Sequence, residues 1–106
     1  MAYGMSKAAL DLFTKSLALD LGPKQVRVNS VSPGIIETEA FSSAMPKDAL
    51  TSFLESAAAL YPLRKVGQPE EVAKAIAFLA SSESSFTTGV ILQLDGGVQL
   101  NTKVVP

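Results

Sequence analysis

The chain of 106 residues contains no cysteine and no histidine. Without cysteine it forms neither a disulfide framework nor a thiolate metal site. Without histidine it lacks the usual general base and the commonest transition-metal ligand, which excludes Ser-His-Asp, Cys-His and HExxH chemistry within the chain. An excess of one charge is missing too: nine Lys and Arg stand against ten Asp and Glu, a net charge of −1. That balance argues against nucleic acid as a partner and against a polybasic membrane anchor. No apolar run approaches the roughly 18 residues of a membrane span. The N-terminus does not read as a secretory signal, and Lys103-Val104-Val105-Pro106 is not a peroxisomal address. A cytoplasmic protein is the expectation. What is present is a globular composition, 47% hydrophobic and 18% charged. Its chemistry must run on Tyr, Lys, Ser, Thr, carboxylates or backbone groups.

The punctuation of the chain is clear. Good helix formers run from about Met1 to Leu21, with Ala9, Phe13, Leu17 and Leu21 on one face, and stop at Gly22-Pro23. Gln25 to Val31 alternates at Val26 and Val28 and is predicted as a strand that ends at Ser32-Pro33-Gly34. From about Pro46 to Tyr61, Leu50, Phe53, Leu54, Ala57, Ala58 and Tyr61 keep helical spacing, and Pro62 closes the segment. A further helix begins at Gln68-Pro69-Glu70-Glu71, with Val72, Ala75, Ile76 and Leu79 as its expected buried stripe. Val90 to Leu94 reads as a strand buried on both sides, before the turn Asp95-Gly96-Gly97. The order helix, strand, helix, helix, strand predicts α/β architecture with parallel strands. Two strands alone make a poor sheet, so the expectation is the end of a fold whose beginning is missing.

Tyr3 and Lys7 lie four residues apart on the first helix and project from one face. A phenol has a reference pKa of about 10, and a nearby ammonium favours the phenolate. A tyrosine tuned in this way gives a proton to a carbonyl oxygen or takes one from an alcohol. Two residue types at one spacing recur by chance, so the pair gains weight only from its company.

That company is ordered. Tyr3-Gly4-Met5-Ser6-Lys7-Ala8-Ala9-Leu10, Arg27-Val28-Asn29-Ser30-Val31-Ser32-Pro33-Gly34, Gly67-Gln68-Pro69-Glu70-Glu71-Val72-Ala73, Thr88-Gly89 and Asp95-Gly96-Gly97 follow one another. Together they resemble the C-terminal half of a short-chain dehydrogenase/reductase. The resemblance implies the C-terminal portion of a Rossmann-like doubly wound parallel sheet, with residues 1–106 as part of one such domain. It implies an oxidoreductase that passes a hydride between NADP or NAD and a small-molecule carbonyl or alcohol substrate. Tyr3 then matches the catalytic acid/base, and Lys7 the residue that lowers the tyrosine pKa and bonds the nicotinamide ribose. Pro33 and Gly34 match the turn beside the nicotinamide, Ile36 the position whose backbone meets the carboxamide, and Thr38 a hydroxyl for the carboxamide or pyrophosphate. The helix from Pro46 to Tyr61 matches a variable substrate lid. A homo-oligomer, a tetramer of paired dimers, is implied for the full-length protein.

Other features have plainer readings. Glu37 and Glu39 read as a solvated loop rather than a catalytic carboxylate pair. Asp95 without further oxygen ligands does not make a calcium loop. The Gly-rich turn that cradles a pyrophosphate is absent, since Gly96-Gly97 follows the last strand. The family's catalytic Ser and helix Asn lie upstream of the Tyr, where only Met1 and Ala2 stand, and Ser6 is no substitute. The expectation is therefore a fragment of an oxidoreductase. The alternative is a non-catalytic remnant that serves only as a folding or oligomerisation partner.

Overall fold

The computed structural model describes residues 2–104, and the side chains of residues 2–101. Met1, where the first helix was expected to start, and the terminal Val105-Pro106 lie outside the described residues. In chain order the elements are α1 (Ala2–Leu21), β1 (Ser30–Pro33), α2 (Glu39–Ala44), α3 (Lys47–Leu60), α4 (Pro69–Ala80), β2 (Ile91–Leu94) and α5 (Val98–Val104). Single 3-10 turns follow α1 at Gly22–Lys24 and α4 at Ser82–Ser84. β1 and β2 form a two-stranded sheet. The Ser30 N–H donates to the Val90 carbonyl and the Gly34 N–H to the Leu94 carbonyl, both at 2.9 Å. Donor and acceptor each advance four residues, so the strands are parallel, as expected for an α/β fold.

The chain divides into two compact units, residues up to Val31 with Ala75–Leu92, and Ser32–Lys74 with Gln93 onward. In the first, α1 ends where Gly22 and Pro23 turn the chain, and Gln25 closes that turn in the left-handed region at φ 61°. Thr14 and Ala18 are the buried positions of α1, and the Thr14 hydroxyl donates to the Leu10 carbonyl at 3.0 Å. This corrects the expected face: Phe13 is exposed, and Leu17 and Leu21 are half-buried. A small Ala with a self-satisfied Thr lets backbone come close, as Gly89 does at 3.6 Å from the Ala18 Cβ for an added methyl.

Both strands are shorter than their sequence pattern. The Val28 N–H donates to the Thr88 hydroxyl, the Val90 N–H to the Asn29 side-chain carbonyl, and the Asn29 amide to the Thr87 carbonyl. Side chains of Asn29 and Thr88 thus take positions that a partner strand's backbone would fill, and the ladder starts only at Ser30. β2 is half-buried with Gln93 exposed, not buried on both sides. Arg27 fastens the same region, donating to the carbonyls of Leu79 and Ser81 and to the Ser84 hydroxyl at 2.8–2.9 Å.

The second unit has an apolar centre of Ala57, Tyr61 and Val66, with Ile35, Leu54, Ala58 and Val98 packed against it. α3 supplies it through the i, i+4 pair Ala57 and Tyr61, and Pro62 prevents another turn. The Arg64 guanidinium donates to the Ala59 carbonyl at 2.6 Å, covering an orphan acceptor at the helix end. Phe41 on α2 meets Phe53 on α3 with ring centroids 5.6 Å apart. Ahead of α4, the Glu71 carboxylate accepts the Gln68 N–H at 3.0 Å, one half of a capping box. The stripe Val72, Ala75, Ile76 and Leu79 is not fully buried: three are half-buried and Ile76 is exposed. Helical spacing names a face, and burial requires elements to cover it.

Candidate active site

In the first unit, α1 carries Tyr3 and Lys7 one turn apart. Both residues are surrounded by helix formers without a β-branched run, so the spacing is held by regular backbone. Tyr3 is 78% exposed and Lys7 is half-buried.

In the second unit, the segment after β1 is anchored on both sides. Gly34 leaves little room for a side chain: a Cβ there would lie 3.0 Å from the Tyr61 hydroxyl oxygen and 3.1 Å from the Asp95 Cα. The Ile35 N–H donates to the Tyr61 hydroxyl at 2.8 Å. The Gly67 N–H donates to the Ile35 carbonyl, and the Glu37 N–H donates to the Gly67 carbonyl, each at 2.9 Å. This is a parallel bridge between Ile36 and Gly67. The geometry has a direct consequence. In a trans peptide, N–H and C=O point in opposite directions. The Ile35 carbonyl and the Glu37 N–H both face Gly67, so the Ile36 N–H and the Ile36 carbonyl both face away from it. A donor and an acceptor therefore stand side by side on the face of the loop turned away from Gly67.

The remaining expected residues flank this point. Pro33 is exposed at the end of β1. Thr38 precedes α2 in extended backbone, and its hydroxyl does not cap that helix. Pro33, Gly34, Ile36 and Thr38 thus belong to the second unit, whereas Tyr3 and Lys7 belong to the first. Beside the loop lies a cleft of about 460 Å³ lined by Ile35, Ile36, Tyr61, Leu63, Leu94 and Gly97 among others. Gly96 and Gly97 at its edge have φ of 57° and 85°, which the turn after β2 requires. Glu71 also lines it and pairs with Lys65 at 2.9 Å. The Lys65 ammonium, and then the Gln68 N–H, hold the Glu71 carboxyl below the usual carboxylate range. Among the described residues no cluster of carboxylates could hold a metal ion, and no helix is long and apolar enough to cross a membrane.

A family model described as enoyl-(acyl carrier protein) reductase matches residues 1–99. The chain belongs to the short-chain dehydrogenase/reductase family. Its relatives in that family are oxidoreductases. An uncharacterized oxidoreductase of Mycobacterium tuberculosis is 45% identical over 97 residues, covering 92% of this chain and 35% of the relative. A 7alpha-hydroxysteroid dehydrogenase of Paraclostridium sordellii is 38% identical over 103 residues, 96% of this chain and 37% of the relative. A 3-oxoacyl-(acyl-carrier-protein) reductase of Thermotoga maritima is 44% identical over 96 residues, 91% of this chain and 37% of the relative. Among solved structures, the aldohexose dehydrogenase of Thermoplasma acidophilum superimposes with a TM-score of 0.83 at 38% identity, over 93% of this chain and 41% of that one. A short-chain dehydrogenase family protein of Francisella tularensis gives a TM-score of 0.81 at 35% identity, over 94% of this chain and 44% of that one. The chain thus spans little more than a third of the curated short-chain dehydrogenase/reductase relatives it matches.

Two participants at the loop escaped the sequence reading. The sequence places Tyr61 on an apolar stripe and Gly67 in a motif, with no task for either. A signal for Tyr61 existed: a tyrosine on a buried stripe needs a partner for its hydroxyl. Which partner it finds is a long-range matter.

Proposed function

We propose that this chain is the C-terminal part of a longer NAD(P)-dependent oxidoreductase that interconverts a carbonyl and an alcohol. The observation that supports this reading best is the outward-facing N–H and C=O of Ile36. A primary carboxamide offers an acceptor and a donor side by side, and the Ile36 peptide groups present the complementary pair. The residues therefore fit a nicotinamide. When bound, that group supplies or accepts the hydride exchanged with the substrate carbon. The cofactor is NADP or NAD.

The chain's own residues carry the remaining steps. Ile36 orients the carboxamide, and Gly34 keeps the turn narrow enough for close approach at the carboxyl end of a parallel strand, where open α/β sheets bind ligands. The Thr38 hydroxyl, not spent on capping α2, bonds the carboxamide or the pyrophosphate. During reduction the Tyr3 phenol donates its proton to the carbonyl oxygen, and during oxidation the phenolate takes one from the alcohol. Lys7 stabilises that phenolate through its positive charge and bonds the nicotinamide ribose. The substrate is a small-molecule carbonyl or alcohol, a reading supported by the likeness to a hydroxysteroid dehydrogenase, an oxoacyl reductase and an aldohexose dehydrogenase. The full-length protein is a cytoplasmic homo-oligomer, as the family resemblance implies.

The test is Tyr3→Phe in the parent protein, assayed for NAD(P)H-dependent carbonyl reduction. Turnover should fall about 10²- to 10⁴-fold, the usual loss for one positioned acid. Cofactor affinity, read by fluorescence titration, should stay close to wild type. Unchanged turnover would overturn the assignment.

A further inference from the structure

We propose that Tyr61 is a positioning residue for the Ile36 peptide groups, and through them for the nicotinamide carboxamide; this rests on the function proposed above. Three facts lead there. Tyr61 is only 5% exposed and sits in the apolar centre with Ala57 and Val66, so its ring has a single place to be. Its hydroxyl accepts the Ile35 N–H at 2.8 Å, one residue before the peptide groups that face outward. The same oxygen would lie 3.0 Å from a Cβ added at Gly34, so it crowds any side chain there. The phenol thus spaces the loop from α3 and grips it at once.

The anchors around Ile36 show why one hydroxyl matters. On the side of Gly67, two backbone hydrogen bonds hold the Ile35 carbonyl and the Glu37 N–H, and the Gln68 side-chain amide donates to the Glu37 carboxylate at 3.2 Å. At the sheet, the Gly34 N–H is held by Leu94. The Ile35 N–H lies between these anchors and points toward α3, and Tyr61 is what receives it. The two bonds to Gly67 fix the direction in which the Ile36 groups point, and the bond to Tyr61 ties the turn just before them to the end of α3. Without that acceptor the turn loses this tie, and the place where the Ile36 groups stand is held from the sheet and from Gly67 alone. Tyr61 has no part in the proton transfer assigned to Tyr3. Its effect is confined to where the donor and acceptor of Ile36 stand.

The variant that isolates the hydroxyl is Tyr61→Phe, which keeps the ring in the apolar centre. Two measurements are made on the parent protein. The first is amide hydrogen exchange at Ile35 and Ile36, which needs no cofactor and should accelerate at Ile35 by about tenfold when its acceptor is lost. The second compares binding of NAD(P)H with binding of ADP-ribose or its 2′-phosphate, which lack the nicotinamide. The variant should weaken the nicotinamide-bearing ligand by about five- to tenfold, the order expected for one misaligned hydrogen-bonding pair. Binding of the truncated ligand should not change. Equal loss for both ligands would show a merely structural role and overturn the proposal, as would unchanged exchange at Ile35. Faster exchange with an unchanged ligand ratio would overturn the positioning role and leave the proposed function standing. A wild-type protein that binds both ligands equally would overturn the proposed function and this inference together.

Discussion

In the first unit the long-range ties run from side chains to backbone: Arg27 reaches the carbonyls of Leu79 and Ser81, and Asn29 and Thr88 bridge residues about sixty apart in sequence. In the second unit an apolar centre of Ala57, Tyr61 and Val66 gathers Ile35 and Val98, about thirty residues away on either side, and the Tyr61 hydroxyl inside it takes the Ile35 N–H. The difference teaches how each unit should fail. Polar anchors are directional and leave unsatisfied groups when one is removed, whereas an apolar centre loses contact area and leaves a cavity.

Arg27→Ala should give the largest stability loss, about 3 kcal/mol, because charge-assisted donors to two carbonyls and a hydroxyl vanish together. Ser84, whose hydroxyl also donates to Leu79 and Ser81, offsets only part of this. Val66→Ala should cost less, about 2 kcal/mol, from two lost carbons and the space they leave. Hydrogen exchange read residue by residue checks both, with Arg27→Ala opening residues 79–90 first and Val66→Ala opening 57–67. The reverse pattern would undo the contrast between the units.

A finer comparison uses the two non-glycine residues in left-handed backbone, Gln25 at φ 61° in the first unit and Arg64 at φ 58° in the second. Gln25→Gly should stabilise by about 0.5–1 kcal/mol, since relief of the left-handed conformation exceeds the entropy glycine loses on folding. Arg64→Gly gains the same relief and gives up the guanidinium on the Ala59 carbonyl. Its net change should lie within about 0.5 kcal/mol of zero. Urea denaturation of the two variants side by side measures the value of that cap.

The smallest effect belongs to pH. Glu71 has a folded pKa below its ordinary value of 4.5, held there first by the Lys65 ammonium. A depressed carboxylate contributes stability that is present above its unfolded pKa and lost as pH falls through the folded one. The pair is exposed, so the contribution is slight and weakens with salt. Glu71→Gln should flatten the acid limb of the melting curve below about pH 4.5 at low ionic strength, with no change at neutral pH beyond the lost bonds to Lys65 and Gln68.

Much of the architecture was legible because local chemistry decides it. Gly22-Pro23 ends α1, Pro62 ends α3, and Gln68-Pro69 opens α4 within a residue of the expected places. Tyr3 and Lys7 share a helix face for the same reason, a period of 3.6 residues. Two helices were not foreseen. α2 has six residues, and its Phe41 rests on Phe53, a contact no local pattern announces. α5 follows a turn whose glycines were noted without the helix beyond them.

The sequence alone determined the order of the three longer helices and the two strands, the ends of α1 and α3, the start of α4, the family and the Tyr3–Lys7 pair, because spacing, caps and turn residues act over a few bonds. Tertiary structure alone decided which apolar positions are covered, where the β-ladder begins, and that Tyr61 and Gly67 hold the loop carrying Ile36. The reason is physical: a hydrogen bond from Ile35 to a residue 26 positions away, or from Val28 to one 60 away, depends on where the chain returns in space. Short-range periodicity carries no information about that return.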